Sequence, residues 1–139
     1  MTLEQILKIR KSGFNEDIGI EFMKLENFCC EGRIKIEARH LNASGGVHGG
    51  CIFTLMDSVC GIAAFSSGNY VTTSSSNVLF LNQATNTQYI RTIAKPIKLG
   101  KSLKIYESEV FDDVGKLISR ANFTFFVLGR INSLTTEIP

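Results

Sequence analysis

The sequence has little net charge, no cysteine spacing typical of a metal site, and no apolar run long enough to cross a membrane. Its 139 residues include 15 Lys plus Arg and 13 Asp plus Glu, and the net charge of +2 is too small for a nucleic-acid-binding face. The four cysteines lack C-x-x-C spacing, which favours reduced thiols over zinc ligands or disulfides. No run approaches the roughly 20 apolar residues that a bilayer requires, and residues 1–13 lack the apolar segment of a signal peptide. We therefore expect a cytoplasmic protein with no nucleic-acid or membrane partner.

The length and composition predict a single globular domain over residues 1–139. Apolar residues make up 44% of the chain and charged residues 20%, which are ordinary values for a folded domain. No internal repeat, low-complexity segment or linker divides the sequence. Residues 129–139 are polar and without periodicity, and they predict a loosely held C-terminal tail.

Hydrophobic periodicity predicts a short N-terminal helix, two strands, a central helix and four further strands. The pattern Thr2-Leu3-Glu4-Gln5 is typical of a capping box, and Gly13 is expected to end this first helix. A second helix, from Gly49 to Ser66, is apolar nearly all round, which indicates a helix surrounded by protein. The last four predicted strands follow one another as an antiparallel meander, with a hairpin turn at residues 112–115. The predicted strands span residues 20–26, 28–39, 71–81, 88–98, 102–112 and 116–128.

Asp57 is the first candidate for a catalytic residue, because it is a lone carboxylate in the most apolar segment of the chain. It is the only acidic or basic side chain between His48 and Arg91. Removing a carboxylate from water is costly unless the group finds hydrogen-bond donors, becomes protonated or lines a wet cleft. A functional cleft explains Asp57 best, and the alternative is an aspartate at a helix edge that faces solvent or bonds nearby backbone.

The segment His48-Gly49-Gly50 stands where a glycine-rich loop becomes the central helix. Unpaired N–H groups at a helix N-terminus can stabilise the oxygen of a carbonyl under attack, so this segment is a candidate oxyanion site. The alternative interpretation is a plain tight turn in which His48 is a packing or capping residue. Gly49 and Asp57 are eight residues apart, which at 1.5 Å per residue is ~12 Å along the helix. One substrate carbonyl cannot meet both groups of one chain, so the spacing predicts a symmetric dimer with shared sites.

Several other residues are weaker candidates. Asn42 can orient a carbonyl or His48, although a loop asparagine more often makes its own turn. The hydroxyls of residues 72–76 can hold a water molecule, or they merely begin a solvated strand. Cys60 follows Asp57 by about one turn, but a buried thiol without a cationic neighbour is usually inert. Five cations on two neighbouring predicted strands and the turn between them can bind phosphates or act as exposed charges that protect strand edges; they are Arg91, Lys95, Lys98, Lys101 and Lys104.

The pattern over residues 40–57 resembles that of the hotdog-fold acyl-CoA thioesterases, specifically the phenylacetyl-CoA (PaaI) type. The family pattern N-x-x-G-x-x-H-G-G is present as Asn42-Ala-Ser-Gly45-Gly-Val-His48-Gly49-Gly50, and Leu55-Met56-Asp57 follows on the helix as Leu-x-Asp. The likeness continues to about Leu128. One departure is Asn82-Gln83-Ala84, which stands where relatives commonly have Arg-Pro-Ala.

This resemblance implies an α+β hotdog fold, in which a curved antiparallel sheet wraps around a central helix. It also implies a homodimer with edge-to-edge sheets, often assembled further into a homotetramer. The implied reaction is hydrolysis of acyl-CoA thioesters to a carboxylic acid and coenzyme A, with no metal and no cofactor besides the coenzyme A of the substrate. 

The resemblance also implies roles for individual residues. Asp57 is the general base or the nucleophile, and Gly49 N–H is the oxyanion donor. Thr73 supplies the hydroxyl that holds water, while Asn42 and His48 position the reacting groups. The lysine group is expected to contact the phosphates of coenzyme A, with Lys95, Lys98 and Lys101 as the candidates.

Two other functions are compatible with the same fold. A protein that binds or senses acyl-CoA without hydrolysing it would keep the pocket and lack the chemistry, but the presence of both Asp57 and the His48-Gly49 pair argues against it. An acyl-thioester dehydratase requires a histidine and an acidic residue arranged for proton transfer on the acyl chain. The proline-rich histidine motif of such enzymes is missing from this sequence.

Overall fold

The computed structural model describes residues 1–132, which form three α-helices and six β-strands. In chain order the elements are α1 (Leu3–Ile9), α2 (Gly13–Ile18), β1 (Ile20–Glu26), β2 (Cys29–Lys35), α3 (Gly49–Phe65), β3 (Asn69–Phe80), β4 (Tyr89–Leu99), β5 (Leu103–Phe111) and β6 (Leu117–Arg130). One turn of 3-10 helix, Ala38–His40, lies between β2 and α3.

The six strands form one antiparallel sheet, and α3 packs against it. The strand order is β1-β2-β4-β5-β6-β3, so β1 and β3 are the edges. Helix α3 contacts all six strands. This arrangement confirms the predicted α+β hotdog fold of a curved sheet around a central helix.

The predicted antiparallel meander is right for β4, β5 and β6 and wrong for β3. Strand β3 pairs with β6, from Asn69 opposite Arg130 to Phe80 opposite Ser119. Strand β4 pairs instead with β2 on its other side. Alternating apolar and polar residues indicate a strand but do not specify its neighbour, so the position of β3 is decided by packing.

Helix α3 is the centre of the hydrophobic core, as its apolar sequence predicts. Leu55, Met56, Val59 and Phe65 are fully buried within it. The helix begins after His48 and ends at Phe65, with Ser66 as its C-terminal cap. A helix buried on most of its surface leaves few positions for a polar side chain, and Asp57 occupies one of the half-buried ones.

The N-terminal segment differs from the prediction in its second half. The capping box is present, because Thr2 Oγ1 accepts from Gln5 N and Gln5 Oε1 accepts from Thr2 N. Gly13, however, does not end α1. It is the first residue of α2, because Ser12 Oγ accepts a hydrogen bond from Asn15 N and so caps a new helix.

Two predicted boundaries also move. The strand expected over residues 28–39 ends at Lys35, because Glu37 N–H donates to His40 Nδ1 and closes the 3-10 turn. Near the C-terminus, the tail is predicted to begin at residue 129, which is too early. Gly129 and Arg130 belong to β6, where they pair with Tyr70 and Asn69. Residues 133–139 of that predicted tail lie outside the described part of the chain.

Within residues 1–132, we find no helix that combines the length and the apolar character needed to span a bilayer. The cytoplasmic location remains a prediction.

Gly32 on β2 tests how tightly α3 lies against the sheet. A Cβ atom there would lie 2.5 Å from Val59 Cγ2 and 3.3 Å from the Glu21 carbonyl oxygen. We expect Gly32→Ala to lower the free energy of unfolding by about 1–3 kcal/mol through overpacking, measured by urea denaturation. Gly13→Ala is the matched control, since a Cβ there meets nothing within 4 Å. Equal stability of the two variants would contradict this close packing.

Candidate active site

The Asp57 carboxylate lies beside the edge strand β3. Thr73 Oγ1 donates a 2.7 Å hydrogen bond to Asp57 Oδ1. The run of hydroxyl residues at 72–76 leaves the choice of residue open in the sequence, and the structure selects Thr73. Thr73 pairs with Phe125 of β6, and Thr72 pairs with Phe126, so adjacent hydroxyls point to opposite faces of the sheet.

Burial makes the Asp57 carboxylate costly to ionise. Desolvation raises the pKa of Asp57 above its ordinary value, and the hydrogen bond from Thr73 opposes part of that rise. A carboxyl group with a raised pKa binds a proton more readily, which suits a general base.

Asp57 lines a pocket of about 580 Å³ between α3, the beginning of β3 and the N-terminal helices. Asn15 on α2 accepts a 2.9 Å hydrogen bond from Ser58 Oγ, which ties α2 to α3. The Arg10 guanidinium lies 5.3 Å from the centre of the Phe65 ring and also lines the pocket. Asp57 is the only acidic residue among its described lining residues.

The sequence alone did not suggest that the N-terminal helices would contribute to this pocket. Ile9 and Phe14 form part of its wall, and Phe14 remains 62% exposed. The local signals in this segment are helix caps and hydrophobic periodicity, and neither indicates where the helices dock. Contacts across distant segments, such as Asn15 with Ser58, depend on the fold.

The N-terminus of α3 leaves one backbone donor free. His48 is the N-cap, and its Nδ1 accepts a 2.8 Å hydrogen bond from Gly50 N. His48 N–H itself donates to the His40 carbonyl. Gly49 N–H has no hydrogen-bond partner among residues 1–132. His48 therefore caps the helix, which was one of its two predicted roles. Because the His48 ring bonds Gly50 N–H, it is Gly49 N–H that has no partner among residues 1–132.

Asn42 shapes the glycine-rich loop that leads to this donor. Its Oδ1 accepts hydrogen bonds from Ser44 N at 2.9 Å and from Gly46 N at 3.1 Å. Gly45 has a φ of +83°, a conformation that glycine adopts without strain. Asn42 thus makes its own turn, and it also lines the pocket beside Gly49.

His40 is a structural residue that the sequence did not single out. It is 2% exposed, its Nδ1 accepts from Glu37 N, and its Nε2 lies 2.7 Å from the Ile18 carbonyl oxygen. These partners require a neutral ring with the proton on Nε2. Because the His40 carbonyl accepts from His48 N, this ring anchors the start of α3.

Gly49 and Asp57 do not share a pocket within one chain. Gly49 lines a separate pocket of about 310 Å³ with Asn42 and Phe80. Both residues lie in the same uninterrupted helix, so the ~12 Å rise between them is rigid. The structure therefore brings Asp57 to Thr73, and Gly49 to His48 and Asn42, as two separate groups.

The three candidate lysines are not gathered at one place. Lys95 and Lys98 are exposed on β4. Lys101 lies in the turn after β4 and lines a pocket of about 680 Å³ at the C-terminal end of α3, together with Lys104 and Arg130. Of the three, only Lys101 shares that pocket.

Thiol and metal chemistry receive no support from the described residues. Burial raises the pKa of Cys51 to about 11 and raises that of Cys60 further, so both thiols stay protonated at neutral pH. Within residues 1–132 no three His, Cys, Asp or Glu side chains are grouped so that they could hold a metal ion.

The fold and the half-buried carboxylate on its central helix define a hotdog protein of the α+β class. The chain belongs to the thioesterase superfamily, whose family model matches residues 44–119. A relative from Archaeoglobus fulgidus, which carries the name "Putative esterase", is 31% identical over 100 residues. That match covers 69% of this chain and 65% of the relative, so the chain spans slightly less than two thirds of its length.

Solved structures share the fold at lower identity. The Escherichia coli PaaI protein from the phenylacetic acid degradation operon superposes with a TM-score of 0.82 at 20% identity, over 88% of this chain and 89% of that one. A hypothetical thioesterase protein from Streptococcus pneumoniae, solved with coenzyme A, gives 0.81 at 20% identity over 94% and 100%. Two further structures of a protein with the same description each have one residue replaced by alanine. In one it is an aspartate and in the other a threonine, and these two residues lie 16 positions apart.

The buried carboxylate should affect stability in a pH-dependent way. Because the folded-state pKa of Asp57 is raised, its ionisation costs stability as the pH rises from the unfolded value of about 3.9 through the folded pKa. We expect Asp57→Asn, which retains an acceptor for Thr73, to raise the urea midpoint at pH 7 and to lose this advantage at about pH 3.

Glu107→Gln is the control for this measurement, because it removes an exposed carboxylate from β5. The same pH-dependent gain in both variants would assign the effect to net charge rather than to the burial of Asp57.

Proposed function

We propose that this protein hydrolyses acyl-CoA thioesters to a carboxylic acid and coenzyme A. The observation that carries the proposal is the Asp57 carboxylate, half-buried in a pocket and bonded by Thr73. Membership of the thioesterase superfamily supports it, as does the name of the Archaeoglobus relative. The pneumococcal protein was solved with coenzyme A, and its substituted aspartate and threonine have the same 16-residue separation as Asp57 and Thr73.

The chemistry assigned to Asp57 follows from its position. As a general base, it takes a proton from water while the water oxygen attacks the thioester carbonyl, and the tetrahedral intermediate then expels the thiolate of coenzyme A, which takes up the proton. As a nucleophile, it attacks the carbonyl itself and expels the thiolate of coenzyme A, which leaves a mixed anhydride; water then cleaves this anhydride, releases the carboxylic acid and restores the Asp57 carboxylate. Thr73 holds the carboxylate in place in either route. Neither route uses a metal or a resident cofactor.

The oxyanion that forms during attack needs a hydrogen-bond donor near the reacting carbon. Gly49 N–H, at the N-terminus of α3, has no hydrogen-bond partner in the described part of the chain, but it lies ~12 Å along α3 from the Asp57 of its own chain. We therefore propose that Gly49 of a second copy completes the site. His48 and Asn42 position this donor by capping the helix and shaping the loop.

The exposed edge of β3 supports such a dimer. Residues 72–77 are exposed along this edge, and Leu79, Phe80 and Leu81 are 50%, 56% and 46% exposed. An antiparallel β3 pair centred between Ser76 and Asn77 would place Thr73 of one copy opposite Phe80 of the other. Thr73 bonds Asp57, and the Phe80 ring lies 3.4 Å from where a Gly49 Cβ would be. This pairing would bring the two halves of the site together.

The resemblance to the PaaI type extends the proposal to a homotetramer built from two such dimers. Leu103 and Phe126 face each other across β5 and β6 on the outer face of the sheet, and they are 41% and 48% exposed. Apolar side chains on the outer face are suited to a second contact between dimers.

Substitution of Asp57 and Thr73 tests the catalytic assignment. We expect Asp57→Ala and Asp57→Asn to lower kcat for acyl-CoA hydrolysis at least about a hundredfold, because neither residue can take the proton. Thr73→Val should lower it about tenfold or more through loss of a hydrogen bond to a charged group, and Thr73→Ser should retain most activity. Release of free thiol from a panel of acyl-CoA substrates is the measurement.

Glu107→Gln is again the matched control and should leave turnover unchanged. Undiminished hydrolysis by Asp57→Asn would contradict the assignment. Tight acyl-CoA binding by the wild-type protein, with no thiol released over hours, would instead identify a binding or sensing protein.

Subunit complementation tests whether the site is shared. Gly49→Pro removes the N–H at the first position of α3, where proline is well tolerated, and His48 already has the extended backbone that proline requires of its predecessor. We expect homodimers of Gly49→Pro and of Asp57→Asn each to be nearly inactive. A heterodimer purified by two tags should regain about half of the wild-type activity, since one of its two sites has both groups intact.

No recovery in the purified heterodimer would show that Asp57 and Gly49 of the same chain work together, or that Gly49 is not the donor. Asp57→Asn dimers whose two subunits carry different tags control for the effects of tagging and of subunit exchange.

A further inference from the structure

A group of cations lies at the C-terminal end of α3, away from Asp57. Lys101, Lys104 and Arg130 line the pocket of about 680 Å³ there, together with residues that include Gly68 and Asn69. No Asp or Glu is among its lining residues in the described part of the chain. Three cationic residues therefore line one pocket that has no carboxylate among its described lining residues.

Lys104 distinguishes this pocket from an ordinary basic surface. It belongs to β5, pairs with Phe125 of β6 and is only 4% exposed. Its ammonium makes no hydrogen bond or ion pair with any of residues 1–132. Burial lowers the pKa of Lys104, as expected for an amine that lacks a compensating acid. Among residues 1–132 no side-chain nitrogen is both sealed from solvent and without a partner, so the Lys104 ammonium is open to solvent at this pocket although the rest of its side chain is buried.

The end of α3 does not satisfy this ammonium. The carbonyl oxygens of Ile62, Ala64 and Phe65 accept from the N–H groups of Ser66, Ser67 and Gly68. The serine hydroxyls occupy the carbonyls of Ala63 and Ala64, and Gly68 O accepts from Ile131 N. The helix terminus thus offers Lys104 only the field of its dipole and no direct hydrogen bond.

We propose that this pocket binds a phosphate group, with Lys104 as its central ligand and Lys101 and Arg130 at its rim. A phosphate oxygen would supply the missing partner of Lys104, and arginine and lysine are the side chains that bind phosphate most strongly. The pocket begins beyond Phe65, which is ~12 Å along α3 from Asp57. A phosphate there takes no part in bond cleavage. If the proposed hydrolase function holds, the phosphates of coenzyme A are one source, and free inorganic phosphate is the other.

Calorimetric titration with inorganic phosphate at low ionic strength tests the site without relying on turnover. We expect wild-type protein to bind phosphate and Lys104→Met, which keeps an unbranched side chain one atom shorter, to bind it at least tenfold more weakly. Lys116→Met, at an exposed lysine in the β5–β6 turn, is the control and should bind like wild type. In phosphate-free buffer Lys104→Met should be at least as stable as wild type, because it removes a charge that desolvation disfavours and that has no partner among residues 1–132.

Competition then identifies the source of the phosphate. Displacement of phosphate by coenzyme A but not by pantetheine would assign the pocket to the phosphates of the substrate, whereas coenzyme A affinity unchanged by Lys104→Met would assign it to free phosphate. Equal phosphate binding by wild type and Lys104→Met, or no binding by wild type, would overturn the proposal. Marked destabilisation of Lys104→Met in phosphate-free buffer would also overturn it, since it would reveal a partner within the protein. Because the measurement is binding, a protein inactive toward every acyl-CoA would refute the hydrolase and leave this result intact.

Discussion

The hydrogen bond between Thr73 and Asp57 is the interaction on which the candidate site depends. It joins the central helix to the edge strand and stabilises a carboxylate that the surrounding apolar side chains would otherwise penalise. Burial and the hydroxyl act on its pKa in opposite directions. The result is a carboxylate held in one orientation at the wall of a pocket, which is the arrangement that base or nucleophilic catalysis requires.

The rigidity of α3 imposes the second constraint. A 17-residue helix buried against all six strands cannot bend to bring Gly49 toward Asp57. The free N–H and the carboxylate therefore face two different pockets of one protomer. In the proposed dimer, the same rigidity becomes useful, because it sets the two groups at fixed positions for a partner. The exposed apolar end of β3 supplies surface for that contact.

Local sequence patterns predicted much of the fold and part of the site. The capping box at Thr2, the extent of α3 and the turn closed by Asp112 and Gly115 depend on near neighbours in the chain, and all are present. Asp57 was identifiable because its charge conflicts with its apolar segment. Patterns failed where a feature depends on distant residues. Gly13 begins α2 rather than ending α1, and β3 lies beside β6 rather than β4.

What the sequence determined by itself is therefore the local chemistry: a buried helix with one carboxylate, preceded by a glycine loop with a histidine cap. Helix caps, turns and hydrophobic period require only interactions within a few residues, so they can be read from the chain. The tertiary structure alone decided that Thr73 is the hydroxyl that bonds Asp57 and that Asn15 of α2 forms part of the pocket wall. It also decided that the Lys104 side chain is 4% exposed and has no hydrogen-bond or ion-pair partner among residues 1–132. Each of these depends on which strand packs beside which, and that choice is made by the packing of the whole core.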